Sequence, residues 1–257
     1  MVSSKQPAPA TVEGAGQLVF VKLGGSVITD KTRPQTARSE VIARLAGEVA
    51  RALSSRPDLR LVMGHGSGSF GHVTARYYGT RQGVHTAADW QGFAEVAAVA
   101  ARLNRLVTDL FLDAGVPVWS LQPSASAWCR NGELVSMAAS PVERALARGL
   151  VPMLHGDVAL DQEQGGTIIS TEQILAYLAH RLCPARMILV GVVDGVYEAD
   201  PLVEPNAKPV PAISNANWAE VREMLGGSHA TDVTGGMLAK VEEMVHLVRD
   251  LPQLTVH

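Results

Sequence analysis

Aromatic residues are few: four Phe, four Trp and four Tyr make up 5% of the 257-residue chain. A protein that grips nucleic acid by stacking needs more of them, and a formal net charge of -3 gives no basic footprint for a phosphate backbone. No nucleic acid partner is expected. Cysteine is scarcer still. Cys129 and Cys183 cannot build a disulfide framework and neither stands at a metal-ligand spacing, so the chain reads as a reduced, cytoplasmic protein. No apolar run approaches the ~18 residues a membrane helix needs, and no membrane partner is expected. Residues 1–16 carry Pro7, Pro9, Gly14 and Gly16 and no apolar centre of the signal-peptide kind; they read as a disordered leader. These absences leave a globular protein whose ligands are small and bound through local sites.

Apolar surface and glycine are what the chain has in quantity. With 47% hydrophobic and 18% charged residues, residues 17–257 can bury a full core as one α/β domain of two joined lobes, about 17–182 and 183–257. The stretch that organises the rest is His65-Gly66-Ser67-Gly68-Ser69-Phe70-Gly71-His72, which follows the apolar run 59–63. Glycines leaving a strand end let backbone N–H groups converge on an anion, and His72 stands where it could touch the same anion. The same letters, Gly66-x-Gly68-x-x-Gly71, also spell a dinucleotide fingerprint, which would make the protein a nicotinamide-dependent oxidoreductase. That fingerprint wants an acidic residue roughly 20 positions on at a strand end, yet Asp89 and Glu95 fall in a stretch that reads as helix. A tight strand-to-helix connection without a ligand is the third reading.

Other strand ends carry similar equipment. Run 18–23 is apolar but for Lys22 and leads into Gly24, Gly25 and Ser26; a lysine there is expected to emerge at the strand's C-terminal end. Apolar positions every fourth residue predict a helix over 39–53, and Thr86 with Asp89 forms a capping box for a helix over 86–112. Residues 116–120 read as a strand. Ser140 followed by Pro141 and Glu143 predicts a capped helix ending at Gly149. Strand 151–154 runs into His155-Gly156-Asp157, and 158–160 pairs with 167–170 before a helix over 171–182. Strand 186–193 ends at Asp194-Gly195. A proline-rich loop, 201–211, precedes a helix capped by Asn215 or Asn217 that ends at Gly226 and Gly227. The last helix opens at the glycine turn 232–236, with Lys240 one turn inside it.

Strands alternating with helices imply a parallel sheet whose ends share one edge, so these polar residues can meet. Phosphoryl transfer from ATP to an anionic acceptor gathers several negative charges, and the catalyst's task is to position and neutralise them. Lys22, Lys31, His72 and Lys240 supply positive charge. Asp157, Glu172 and Asp194 supply carboxylates that can orient the lysines or hold Mg²⁺ through its waters.

The segments LVFVKLGGSVITDK (18–31), HGSGSFGH (65–72), HGDV (155–158), VVDGVYEADP (192–201) and DVTGGMLAK (232–240), in this order, resemble the amino acid kinase superfamily and, within it, the isopentenyl phosphate kinases. The resemblance implies a three-layer αβα sandwich with an open, mainly parallel sheet, a homodimer, and ATP- and Mg²⁺-dependent phosphorylation of isopentenyl phosphate. It implies that Lys22, Gly24, Gly25 and Ser26 cradle the ATP phosphates, with Asp194, Gly236 and Lys240 on the nucleotide side. Lys31 would stabilise the transferring group. His72 would bind the acceptor phosphate beside Gly66, Ser67, Gly71 and Gly156, with Asp157 and Glu172 as orienting carboxylates and no dedicated metal site. Ser67, Glu172 and Val192 depart from the family's usual residues. Val73, Tyr77, Tyr78, Val84, Trp90 and Phe93 could line an apolar pocket for the acceptor's tail or belong to the core. A related kinase such as fosfomycin kinase shares much of this pattern.

Overall fold

The computed structural model describes residues 16–226 and 236–257. The expected leader, but for Gly16, and the turn 232–235 lie outside the described residues. β1 (Leu18–Leu23), α1 (Gly25–Ile28) and α2 (Ser39–Ser55) come first, then β2 (Arg60–His65), α3 (Gly68–Tyr78) and α4 (Ala87–Asp113). The middle of the chain forms β3 (Val118–Ser120), β4 (Trp128–Arg130), β5 (Glu133–Ser136), α5 (Ser140–Leu146), β6 (Val151–His155), β7 (Asp157–Asp161) and β8 (Gly165–Ile169). α6 (Thr171–Leu182), β9 (Arg186–Val190), α7 (Trp218–Gly226), α8 (Gly236–Asp250) and β10 (Thr255–Val256) follow.

Six strands form a sheet in the order β10-β9-β1-β2-β6-β3, every pairing parallel. Such a sheet is covered on both faces, and side-chain alternation divides its core in two. On β1, Leu18 and Phe20 pack with Leu175 and Leu178 of α6, while Val19 and Leu23 pack with Ile42 of α2 and Leu103 of α4. The result is the αβα sandwich the sequence leads one to expect. Lys22 shares the parity of Leu18 and Phe20 and so points to the α6 side. His65 and His155 share the parity of Met63 and Met153 and point to α4.

A second, four-stranded sheet, β5-β4-β7-β8, contains the expected β7–β8 hairpin, in antiparallel register from Asp157↔Ile169 to Asp161↔Gly165. The capping box at Thr86 and Asp89 is present. Two expectations need correction. Ser140 is the first residue of α5, not its cap: Ala139 is already in the right-handed helical region, so the hydroxyl caps nothing. The strand expected over 186–193 stops at Val190, because its neighbour β1 ends opposite it at Leu23 and Gly24 N–H closes the ladder on the Val190 carbonyl. Among the described residues no helix is long and apolar enough to cross a membrane.

Candidate active site

The carboxyl ends of four parallel strands finish level: Leu23 pairs with His65 and with Val190, and His65 pairs with His155. Open α/β sheets bind ligands beyond such an edge. Here the turn after β1 lies directly on the turn after β2. A Cβ on Gly25 would fall 2.4 Å from the Gly68 backbone nitrogen, so only glycine allows the approach. Gly68 itself holds a left-handed φ of 47°. Thr29 ties the two turns, its hydroxyl donating to Gly25 O and accepting from Ser69 N–H. The third turn joins them through Ser67, whose hydroxyl donates to Gly156 O at 3.2 Å.

A cavity of about 530 Å³ opens over these turns. Lys22, Gly24, Gly25, Ser26 and Lys31 line it from the first turn, and Gly66, Ser67, Gly71 and His72 from the second. Gly156, Asp157 and Glu172 line it from the third side and Lys240 from α8. Lysines 22 and 240, 218 positions apart in sequence, thus face one space. Gly236 is the first residue of α8. Asp194 is not brought there: it is exposed, accepts the Tyr197 hydroxyl at 2.5 Å, and lies outside the cavity wall.

Lys22 Nζ donates to Glu172 Oε1 at 2.5 Å, with both residues buried. A capping box between Ser170 and Gln173 fixes the first turn of α6, and Glu172 within it also suits the helix's positive end. Asp157 is tied to the backbone of its own surroundings. Its carboxylate accepts from the backbone N–H groups of Ser124 at 3.1 Å and Val158 at 2.9 Å, because β7 turns it toward the 3₁₀ turn at 123–125. Burial pushes its pKa up against those hydrogen bonds.

Some of the wall escaped sequence reasoning. Glu243 lines the cavity from α8; burial, followed by the charges of Glu172 and Glu133, pushes its carboxyl up to about 8. The signal was available, since Glu243 sits three residues beyond Lys240 and shares its helix face. Arg76 and Arg81 also line the cavity, with no pattern to announce them. The apolar wall comes from Ala75, Val96, Ala100 and Ile168. None of the six residues considered for a tail pocket is in it. Val73 is 56% and Tyr77 80% exposed, Val84 is buried, and Trp90 packs edge-on against Phe93.

A model of the amino acid kinase family matches residues 17–256. The chain belongs to the amino acid kinase family. This amino acid kinase is 35% identical to the isopentenyl phosphate kinase of Methanothermobacter thermautotrophicus over 237 residues, 90% of this chain and 86% of that one. It is 39% identical to the isopentenyl phosphate kinase of Haloferax volcanii over 233 residues, 90% and 88% of the two chains. A solved isopentenyl phosphate kinase structure superposes with a TM-score of 0.76 at 31% identity, covering 91% of this chain and 88% of that one. Family membership does not favour the dinucleotide reading of Gly66-x-Gly68-x-x-Gly71.

Proposed function

We propose that this amino acid kinase transfers the terminal phosphoryl group of ATP to isopentenyl phosphate, forming isopentenyl diphosphate. The observation that carries the reading is the backbone contact between Gly25 and Gly68, which sets two phosphate-type turns against each other in one cavity. Two phosphates held on those turns meet end to end, as in-line transfer requires. In this reading residues 17–182 take the acceptor and 183–257 close over the nucleotide. Lys22, Gly24, Gly25 and Ser26 cradle the ATP phosphates, Gly236 and Lys240 hold the nucleotide's terminal end, and Lys31 stabilises the moving group. His72 binds the acceptor phosphate with the N–H groups of Gly66, Ser67 and Gly71, and Gly156 lies beside them. Glu172 orients Lys22; Asp194 is assigned no contact. The isoprenoid tail runs along Val96, Ala100 and Ile168. A strong general base is not needed to make a nucleophile, because a phosphate monoester is largely dianionic above its pKa of ~6.

Among the described residues no group of three or more His, Cys, Asp or Glu could hold a metal ion. With Glu172 on Lys22 and Asp157 on backbone N–H groups, the donor set fits a Mg²⁺ that arrives on the nucleotide's own phosphate oxygens. Bound there, the ion neutralises phosphate charge. The two free cysteines fit a cytoplasmic setting.

Side-by-side ATP-consumption assays with isopentenyl phosphate, dimethylallyl phosphate and fosfomycin test the reading. Preference for isopentenyl phosphate is expected; preference for fosfomycin would overturn the substrate assignment.

A further inference from the structure

A buried polar chain runs behind the acceptor turn and has no part in the proposed transfer. His65, the last residue of β2, is fully buried and lies outside the cavity wall. Its Nδ1 is 3.2 Å from the carbonyl oxygen of Gly66, and its Nε2 is 3.1 Å from the side-chain amide of Asn104 on α4. Asn104, 7% exposed, reaches on to the hydroxyl of Ser120 at the end of β3. An imidazole and an amide inside an apolar core are costly unless each polar atom finds a partner.

Chemistry sets the direction of the chain. Burial, followed by the neighbouring His155, holds His65 at about 4, so the ring is neutral and carries one proton. A carbonyl oxygen only accepts; the proton therefore sits on Nδ1, and Nε2 is left to accept. With the Asn104 amide presenting its NH2 to the ring and its oxygen to Ser120, every member is satisfied. Ser120 O–H donates to Asn104, Asn104 N–H to His65, and His65 N–H to Gly66 O.

Gly66 is thereby held on both sides, because its own N–H donates to Leu23 O at 3.0 Å. In a trans peptide the next N–H points opposite the carbonyl, so the ring that takes Gly66 O also turns Ser67 N–H away from α4. Ser67 lines the cavity, and its N–H donates to no group among the described residues. Gly71 N–H, by contrast, reaches Ser67 O at 3.4 Å.

We propose that His65, held by Asn104 and Ser120, is a positioning residue for the acceptor: it fixes the Gly66–Ser67 peptide so that Ser67 N–H meets the acceptor phosphate. The inference rests on the acceptor assignment made above. His65 is itself anchored, since its carbonyl accepts from Gly156 N–H at 3.3 Å and from the Thr171 hydroxyl at 2.7 Å. None of the three side chains lines the cavity, so their effect reaches the ligand through the peptide alone.

The test is KM for isopentenyl phosphate and for ATP in the wild type, His65→Leu, His65→Asn and Asn104→Leu. His65→Leu frees the peptide, so KM for isopentenyl phosphate should rise about tenfold while KM for ATP stays within about twofold. His65→Asn keeps an N–H at the place of Nδ1 and should recover most of that loss. Asn104→Leu removes the donor to Nε2 and should raise the acceptor KM about threefold. Equal rises in the two KM values, an acceptor KM unmoved in His65→Leu, or His65→Asn no better than His65→Leu would overturn the proposal. If thermal melting shows that His65→Leu does not fold, Asn104→Leu decides on the same split between acceptor and ATP. Wild-type protein inactive on isopentenyl phosphate defeats the functional reading and this inference with it; active protein whose variants show no such split defeats the inference alone.

Discussion

Lys22 sits in a strand that is otherwise apolar, and the carboxylate it donates to, Glu172, comes from a helix start 150 positions away. Breaking a buried pair by neutralising one side leaves the other charge uncompensated, which typically costs about 3–5 kcal/mol. Glu172→Gln should therefore lower the melting temperature clearly as well as weaken turnover; an unchanged melting temperature would show that water reaches Lys22. The cations facing the cavity should separate by role. His72→Ala is expected to abolish most turnover while ATP affinity stays within about twofold, because its assigned partner is the acceptor; isothermal titration with ATP checks it. Lys31→Ala should lower kcat by about 10²–10³ and raise KM less, since its contact strengthens as charge moves toward the transition state.

At the scale of elements, the two apposed turns are the feature most sensitive to a single methyl group. Gly25→Ala must push backbone against backbone at Gly68, so the turns separate. We expect turnover to fall at least tenfold with far-UV circular dichroism unchanged; full activity would mean the contact is not needed for transfer. How much of this was legible in sequence depended on range. The helix expected over 39–53, which runs on to Ser55, was readable from its local period, and the start of α4 from the local capping box of Thr86 and Asp89. The strand ends were readable because glycine and lysine sit where apolar runs stop. β4 and β5, three and four residues long, are too short for a period, and they exist because β7 offers an edge. Asp157 was read as a carboxylate for a lysine or for Mg²⁺ through its waters, but its orientation follows from a backbone turn at 123–125, and Asp194 was drawn in by a motif whose loop lies outside the cavity wall. Neither fact is local.

Over the whole molecule, the six-stranded sheet ends at β3, whose open edge carries Trp119 at 44% exposure beside α4 with Leu106 and Leu112 exposed. Open edges with apolar side chains invite pairing. The homodimer proposed from family resemblance is expected to use this edge, so Trp119→Glu should shift light-scattering mass from dimer to monomer, and a wild-type monomer would refute it. Stability against pH is set by groups of opposite sign. Burial holds His65 and His155 at about 4, below the ordinary value of 6.5. As pH falls from 6.5 to 4 the unfolded chain takes up protons that the folded chain refuses, so stability is lost over that window, by up to a few kcal/mol for the pair. Glu243 is raised from 4.5 to about 8. Its folded form holds the proton more tightly, so stability present at low pH is lost as pH rises from 4.5 toward 8, less than the shift alone suggests because Glu243 is only half-buried. The melting temperature should therefore peak near pH 6 and decline on both sides. His155→Leu should flatten the acid limb; Glu243→Gln should flatten the alkaline limb and tighten ATP binding at pH 8, where the native carboxylate faces incoming phosphates. A melting temperature that climbs steadily from pH 8 to pH 5 would contradict the histidine account, and ATP affinity unmoved by Glu243→Gln would put that carboxyl outside the nucleotide's reach.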